Sequence, residues 1–184
     1  MYYVPYLYPY QYPYYVAAPS YKLAKQAVYR TFPNELVYGN RFPHISSSML
    51  TDHGTKPFVI NINAASKQNN TYRTALWTGE HLQVTLMSIN AGDDIGLEIH
   101  PEVDQFLRIE QGQGIVQMGK SKENLNFKRN VYDDSAIMIP AGTWHNVTNT
   151  GTIPLKLYSI YAPQNHPFGT VHNTKAEAIA MEES

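Results

Sequence analysis

The chain of 184 residues carries a formal net charge of -1, and its lysines and arginines form no basic block. This length accommodates one core of ordinary size, with or without a tail. The balanced charge lacks the footprint of a nucleic-acid-binding protein or of a polybasic membrane anchor, so we expect neither kind of partner. No segment reaches the roughly 18 apolar residues that a membrane-spanning helix needs.

The sequence contains no cysteine, which excludes disulfides, thiolate metal ligands and a cysteine nucleophile. The start of the chain lacks the basic region and the uninterrupted apolar stretch of a signal peptide, so we expect no secretory leader. These observations are compatible with the cytoplasm and with an assembly at the cell or spore surface, and they leave the localisation open.

Residues 1–30 differ in composition from the rest of the chain. They hold most of its tyrosines, and prolines recur among them at Pro5, Pro9, Pro13 and Pro19. Proline at this spacing disfavours helices and interior strands and favours extended, polyproline-like backbone. We interpret the segment as an extended or disordered arm, or as an arm whose phenols adhere, cross-link or lie across a partner subunit.

A connecting segment at residues 31–57 follows the arm. A short helix is predicted over Lys22–Tyr29, ended by Phe32–Pro33, and residues 40–57 are rich in Ser, Gly and Pro, which is typical of a loop. The far end of the chain, residues 173–184, is predicted to be a tail that forms a frayed surface helix.

Residues 58–172 are predicted to form an antiparallel β-barrel. Short β-rich runs alternate there with turn residues, beginning with PFVININ, HLQVTLMSI, GLEIH and QFLRIEQG and ending with LKLYSIYAP. Closely spaced strands of this kind are typical of sandwiches and barrels. No long amphipathic helix interrupts them, which disfavours a parallel sheet built from βαβ units.

Four polar residues in this region are candidate metal ligands. Glu98 and His100 are one residue apart in a β-rich run, so their side chains are expected on one face. Gln105 begins the next predicted strand, and a hairpin would return its amide to the same point. A metal ion would satisfy these inward-facing groups, and His145, after a Pro-x-Gly turn, is the candidate fourth ligand.

The spacing of these residues resembles the two motifs of the cupin family. The patterns are Gly92-x5-Glu98-x-His100-x4-Gln105-x6-Gly112 and Pro140-x-Gly142-x2-His145-x3-Asn149. The resemblance implies an all-β fold, namely a single antiparallel double-stranded β-helix or jelly-roll barrel. It also implies one divalent transition metal (Fe, Mn, Zn, Ni or Co), a small-molecule substrate and a homodimer.

The chain departs from the usual motifs at three positions. Glu98 replaces the first His of the first motif, Gln105 replaces its Glu, and Asp134 replaces the leading Gly of the second. Two histidines and one carboxylate remain, as in the facial triad of non-haem iron oxygenases. Gln105 either coordinates the metal directly or hydrogen bonds to a bound water or substrate. For the whole cluster, the alternative is a pocket that is filled without metal.

The resemblance and the tyrosine-rich arm together lead to two classes of function. The first is a mononuclear metalloenzyme, dioxygenase-like or sugar-isomerase-like, with an open coordination position for a small polar molecule. Glu98 is a candidate proton acceptor in that reaction. The alternative is a non-catalytic binding protein or a structural coat or surface protein, in which the barrel is a scaffold and the tyrosine-rich arm serves assembly.

Several other residues carry weaker hypotheses. Arg73 is interpreted as a surface or strand-pairing arginine, with binding of a substrate carboxylate or phosphate as the alternative. Trp77 and Trp144 are expected to pack in the core or at the barrel mouth, with an aromatic wall for a ligand as the alternative. His166 and His172 are expected to be solvated or capping, and a second metal site is the alternative.

Overall fold

The computed structural model describes residues 45–182, as two antiparallel β-sheets with few helices. The predicted arm, the predicted helix over Lys22–Tyr29 and the first part of the connecting segment lie outside the described residues. The strands are β1 Arg73–Thr78, β2 Gln83–Ile89, β3 Asp104–Gln111, β4 Gln113–Gly119, β5 Phe127–Tyr132, β6 Ala136–Ile139, β7 Trp144–Asn149, β8 Leu155–Ala162 and β9 Val171–His172. The helices are a 3-10 turn at Ser47–Met49, α1 at Ile62–Gln68 and α2 at Lys175–Glu182.

The strands form a six-stranded sheet in the order β6-β3-β8-β2-β1-β9 and a three-stranded sheet in the order β5-β4-β7. The pairs of named strands are antiparallel. Isolated bridges from Asp94 to Thr148 and from Glu98 to His145 place residues 92–100 beside β7, on the edge of β7 that does not pair with β4. This architecture confirms the predicted jelly-roll fold.

The hydrophobic core lies between the two sheets. Met87, Leu107 and Leu157 enter it from the six-stranded sheet, and Val116 and Val147 enter it from the three-stranded sheet. These side chains recur at every second position, which is the period of a strand that buries one face. None of the helices among residues 45–182 is long and apolar enough to cross a membrane.

The prediction of a strand in the run PFVININ is wrong. Its residues precede and begin α1, whose N-cap Asn61 accepts a hydrogen bond from the backbone N–H of Ala64 at 3.0 Å. Phe58, Ile60 and Ile62 pack instead on the outer face of the six-stranded sheet. The apolar alternation therefore reflects burial against a sheet rather than pairing within one.

A buried carboxylate attaches α1 to this outer face. The Glu110 carboxylate in β3 is fully buried, and it accepts hydrogen bonds from Arg108 Nη1 at 2.6 Å and from Asn63 Nδ2 in α1 at 2.5 Å. Arg108 also binds Asp134, which has a left-handed backbone with φ of 67°. That conformation favours glycine. The usual form of the second motif has glycine at this position, where the present chain has Asp134.

Removal of the Arg108 guanidinium is expected to destabilise the fold. The variant Arg108→Ala leaves the Glu110 charge buried with Asn63 as its remaining partner, and the free energy of unfolding should fall. Urea denaturation measures the change. The control Arg129→Ala removes an exposed arginine and should change stability by less than about 0.5 kcal/mol. Equal losses in the two variants would contradict this account of the ion pair.

Candidate metal centre

The backbone pairing of Glu98 with His145 positions the candidate site. The Glu98 N–H donates to the His145 carbonyl at 3.0 Å, and the His145 N–H donates to the Glu98 carbonyl at 2.9 Å. Two residues further on, the His100 carbonyl accepts from the Gly142 N–H at 2.8 Å. The segment thus runs beside the start of β7, and Glu98, His100 and His145 come together. We call these three residues the Glu98 cluster.

The predicted hairpin between the Glu98 segment and Gln105 is wrong. Gln105 lies in β3 of the six-stranded sheet, where it is paired with Ile139 of β6 and Tyr161 of β8. Residues 92–100 pair with β7, so their backbone groups are not available to β3. Gln105 and the Glu98 cluster therefore belong to opposite sheets.

The donor atoms of the Glu98 cluster are spaced like the ligands of one metal ion. One donor atom from each residue lies within 4.8 Å of the others. Glu98 Oε1 is 3.2 Å from His145 Nε2 and 3.4 Å from His100 Nε2. Two ligand atoms about 2.1 Å from a shared ion, at an angle of roughly 90–110°, are separated by about 3.0–3.4 Å.

The hydrogen bonding of the two imidazoles also fits a metal ion. The Thr143 carbonyl lies 2.9 Å from His145 Nδ1, and because a carbonyl only accepts, Nδ1 carries a proton. In the neutral ring, the lone pair of Nε2 then points toward Glu98. The buried Nε2 of His100 makes no hydrogen bond with any residue of the described chain. A cation would satisfy both nitrogens.

The carboxyl of Glu98 is held in its ionised form. In the metal-free protein burial raises its pKa, but hydrogen bonds donated by His100 and His145 when their Nε2 atoms carry protons, together with the charge of Arg73, outweigh burial, so the net pKa lies well below the usual range. Arg73 Nη2 is 4.0 Å from Glu98 Oε2. Arg73 is 1% exposed in β1, where it pairs with β2 and β9, so the strand-pairing interpretation is confirmed and the surface interpretation is wrong.

Gln105 is buried, and its amide is only half satisfied. Its Nε2 donates to Ser159 Oγ at 3.1 Å, whereas Oε1 has no hydrogen-bond partner among residues 45–182. An amide oxygen in this state suits a metal ion or a bound molecule. Direct coordination by Gln105 stays a prediction.

The histidines after β8 are buried, so the expectation that they are solvated is wrong. The backbone N–H of His166 donates to Gln83 Oε1 at 2.9 Å, and His172 pairs with Arg73 across β9 and β1. Burial, together with the charge of Arg73, lowers the pKa of His166 to about 3, so the ring is neutral. Within the described part of the chain, candidate metal ligands gather at the Glu98 cluster and not at these histidines.

Tyr161 is a residue that sequence reasoning missed. Its side chain is fully buried, and its ring meets that of His100 edge-on at a centroid distance of 5.6 Å. The signal was present in LKLYSIYAP, where Leu155, Leu157, Ser159 and Tyr161 alternate on one face. That face changes from apolar to polar along the strand.

An apolar groove lies away from the Glu98 cluster, on the outer face of the six-stranded sheet. It measures about 640 Å³ and is lined mainly by apolar side chains, Phe58, Leu76 and Trp77 among them. Trp77 Nε1 donates to the Lys56 carbonyl at 2.8 Å. Trp77 therefore packs outside the barrel and forms no wall of the candidate site.

The fold and the motif spacing agree with the comparisons with known proteins. The sequence model of the cupin domain matches residues 85–161. The chain belongs to the cupin family. It is 66% identical over 189 residues to the uncharacterized protein YrkC of Bacillus subtilis (strain 168), and the match covers 100% of both chains.

Two further comparisons extend the likeness. The uncharacterized protein L612 of Acanthamoeba polyphaga mimivirus is 42% identical over 115 residues, which cover 62% of this chain and 70% of that protein. The crystal structure of BH2720 from Bacillus halodurans is 68% identical and superposes with a TM-score of 0.70. That superposition covers 71% of this chain and 98% of the other.

The lowered pKa of Glu98 predicts an acid-sensitive fold in the metal-free protein. A carboxyl whose pKa is lower in the folded than in the unfolded state stabilises the fold above the unfolded value of about 4.3. That contribution is lost as the pH falls below this value toward the folded pKa. The free energy of unfolding after chelator treatment should therefore decrease between about pH 5 and pH 3, more steeply than in Glu98→Gln. Parallel pH profiles would contradict the prediction.

Proposed function

We propose that this chain is a metalloenzyme that acts on a small polar molecule, with one divalent transition-metal ion held by Glu98, His100 and His145. The observation that supports it most directly is the convergence of three donor atoms within 4.8 Å inside the barrel. Two histidines and one carboxylate are the ligand set of mononuclear sites that keep coordination positions open. Gln105 is the fourth ligand of the proposal.

The proposed reaction is of a dioxygenase or isomerase type. A divalent ion in such a site supplies Lewis-acid polarisation of a substrate oxygen or, if it is redox-active, one-electron chemistry. Fe, Mn, Zn, Ni and Co all accept nitrogen and oxygen ligands of this kind. The identity of the ion therefore determines which of the two reaction types applies.

The residues around the Glu98 cluster orient it and exclude water. The Thr143 carbonyl fixes the ring of His145, which is fully buried. The contacts with His100 and His145, together with the charge of Arg73, keep the pKa of Glu98 low. A carboxylate with so low a pKa is a weak base, so we assign Glu98 to metal binding rather than to proton transfer.

The composition of residues 1–30 favours a second candidate function, a structural protein in which a tyrosine-rich arm serves assembly. The arm lies outside the described residues, so only its sequence supports this role. The proposed homodimer is compatible with either function. Full-length protein that binds no metal but forms dimers or larger assemblies in solution would favour this second candidate.

Measurement of the metal content tests the proposed function. Purified protein should contain about one transition-metal ion per chain, and His100→Ala and His145→Ala should each lose it, because each removes one of the three proposed ligands. The control is His81→Ala, since the His81 side chain is 86% exposed and outside the site. Elemental analysis measures the content, and circular dichroism verifies that each variant folds.

The metal content and the identity of the bound ion separate the candidates. Iron would direct the assays to dioxygenase chemistry, and zinc would direct them to polarisation of a carbonyl group. The absence of bound metal, even after incubation with each candidate ion, would contradict the enzyme proposal. Retention of full metal content in both folded alanine variants would contradict the ligand assignment.

A further inference from the structure

The barrel interior beside the Glu98 cluster contains more polar side chains than metal binding requires. The register of the six-stranded sheet places Tyr161 between Gln105 and Gln83, and Thr85 beside Ser159. These positions are buried. We call this space the polar chamber. The residues that define it are Arg73, Thr85, Gln105, Ser159 and Tyr161.

Three side-chain oxygen atoms of the polar chamber have no hydrogen-bond partner among the residues that the structure describes. They are Thr85 Oγ1, Gln105 Oε1 and the Tyr161 hydroxyl. Burial of an unpaired polar atom opposes folding, and buried polar atoms in native proteins nearly always have a partner. Their convergence in one place indicates that a bound molecule supplies the missing partners.

The Tyr161 hydroxyl is a hydrogen-bond donor as well as an acceptor. The ring of Tyr161 meets the His100 ring edge-on at 5.6 Å, so the polar chamber directly adjoins the Glu98 cluster.

The charges of this interior favour an anion once a divalent ion is bound. The positive charge of Arg73 and the negative charge of Glu98 cancel, so the divalent ion leaves an excess of positive charge. His166 does not change this balance, because its lowered pKa keeps it neutral. Positive charge in a buried site is stabilised by an anionic partner.

A cleft lies between β5 and β6, next to the strand that faces His145. It measures about 470 Å³, and Met118, Phe127 and Arg129 are among its lining residues. Met118 lies directly opposite His145 in the pairing of β4 with β7, which brings the cleft close to the Glu98 cluster. The Arg129 guanidinium lies 4.6 Å from the Phe127 ring centroid, so the cleft carries positive charge.

We propose that the polar chamber binds a small oxygen-rich anion, a carboxylate that carries a neighbouring hydroxyl or carbonyl oxygen. Arg73 contributes positive charge, and the hydroxyls of Thr85 and Tyr161 donate hydrogen bonds to the oxygens of the ligand. This inference rests on the proposed function, because the excess of positive charge requires the divalent ion.

A comparison of glycolate with ethylene glycol tests the inference. These probes share a hydroxyl and a similar size, but only glycolate carries a carboxylate. The Co²⁺-loaded full-length protein is titrated with each probe, and binding is followed by the change in the visible spectrum. Glycolate should bind at least about tenfold more tightly than ethylene glycol.

Two near-isosteric variants test the hydroxyls. Tyr161→Phe and Thr85→Val should each weaken glycolate binding about tenfold and leave the cobalt content unchanged. The unfolding temperature of the metal-free variants should be unchanged or higher, because each removes a buried atom without a partner. A merely structural hydroxyl would instead lower the unfolding temperature. The matched control is Tyr158→Phe, since Tyr158 packs on the outer face of the sheet, and it should bind glycolate like the wild type.

The outcomes separate this inference from the proposed function. Protein that holds no metal contradicts the proposed function and removes the basis of the inference with it. Protein that holds metal but binds ethylene glycol as tightly as glycolate contradicts only the anion assignment. Wild-type affinity for glycolate in both Tyr161→Phe and Thr85→Val contradicts the role of the polar chamber.

Discussion

The paired backbone hydrogen bonds between Glu98 and His145 are the contact on which the rest of the site depends. They hold residues 92–100 against the start of β7 and set a carboxylate beside an imidazole. Without them, Glu98 would lie on a loop, and the buried charge of Arg73 in β1 would lose the carboxylate that lies 4.0 Å from it. Because a buried charge needs a close partner, this local pairing determines the electrostatics of the whole interior.

The inner face of the six-stranded sheet carries one apolar row and one polar row of side chains. One row across the six-stranded sheet joins Ile109, Leu157 and Met87, and it belongs to the hydrophobic core. A parallel row joins Tyr161 to its polar neighbours Gln105 and Gln83. The apolar row stabilises the fold, whereas the polar row opposes folding wherever its atoms are unpaired. Proteins retain unpaired buried polar atoms at functional sites, where a bound group supplies the missing partners.

Sequence reasoning was most accurate where the information is local. The two-residue period of a strand placed Glu98 and His100 together, and the motif spacing led to His145. It failed where a local pattern has two tertiary explanations. The apolar alternation that begins at Phe58 resembles a strand, but it is satisfied by packing on the sheet surface. The proposed hairpin to Gln105 failed because adjacent strands need not be partners.

The sequence by itself determined the all-β class, the order of most strands and the residues that share a face within each strand. These properties follow from periodicity and turn chemistry along a few residues. Only the tertiary structure decided which sheet each strand joins, that Arg73 is buried against Glu98, and that Tyr161 meets His100 inside the barrel. Those contacts join residues far apart in the chain, and they arise from hydrogen bonds between strands and from closure of two sheets around one core.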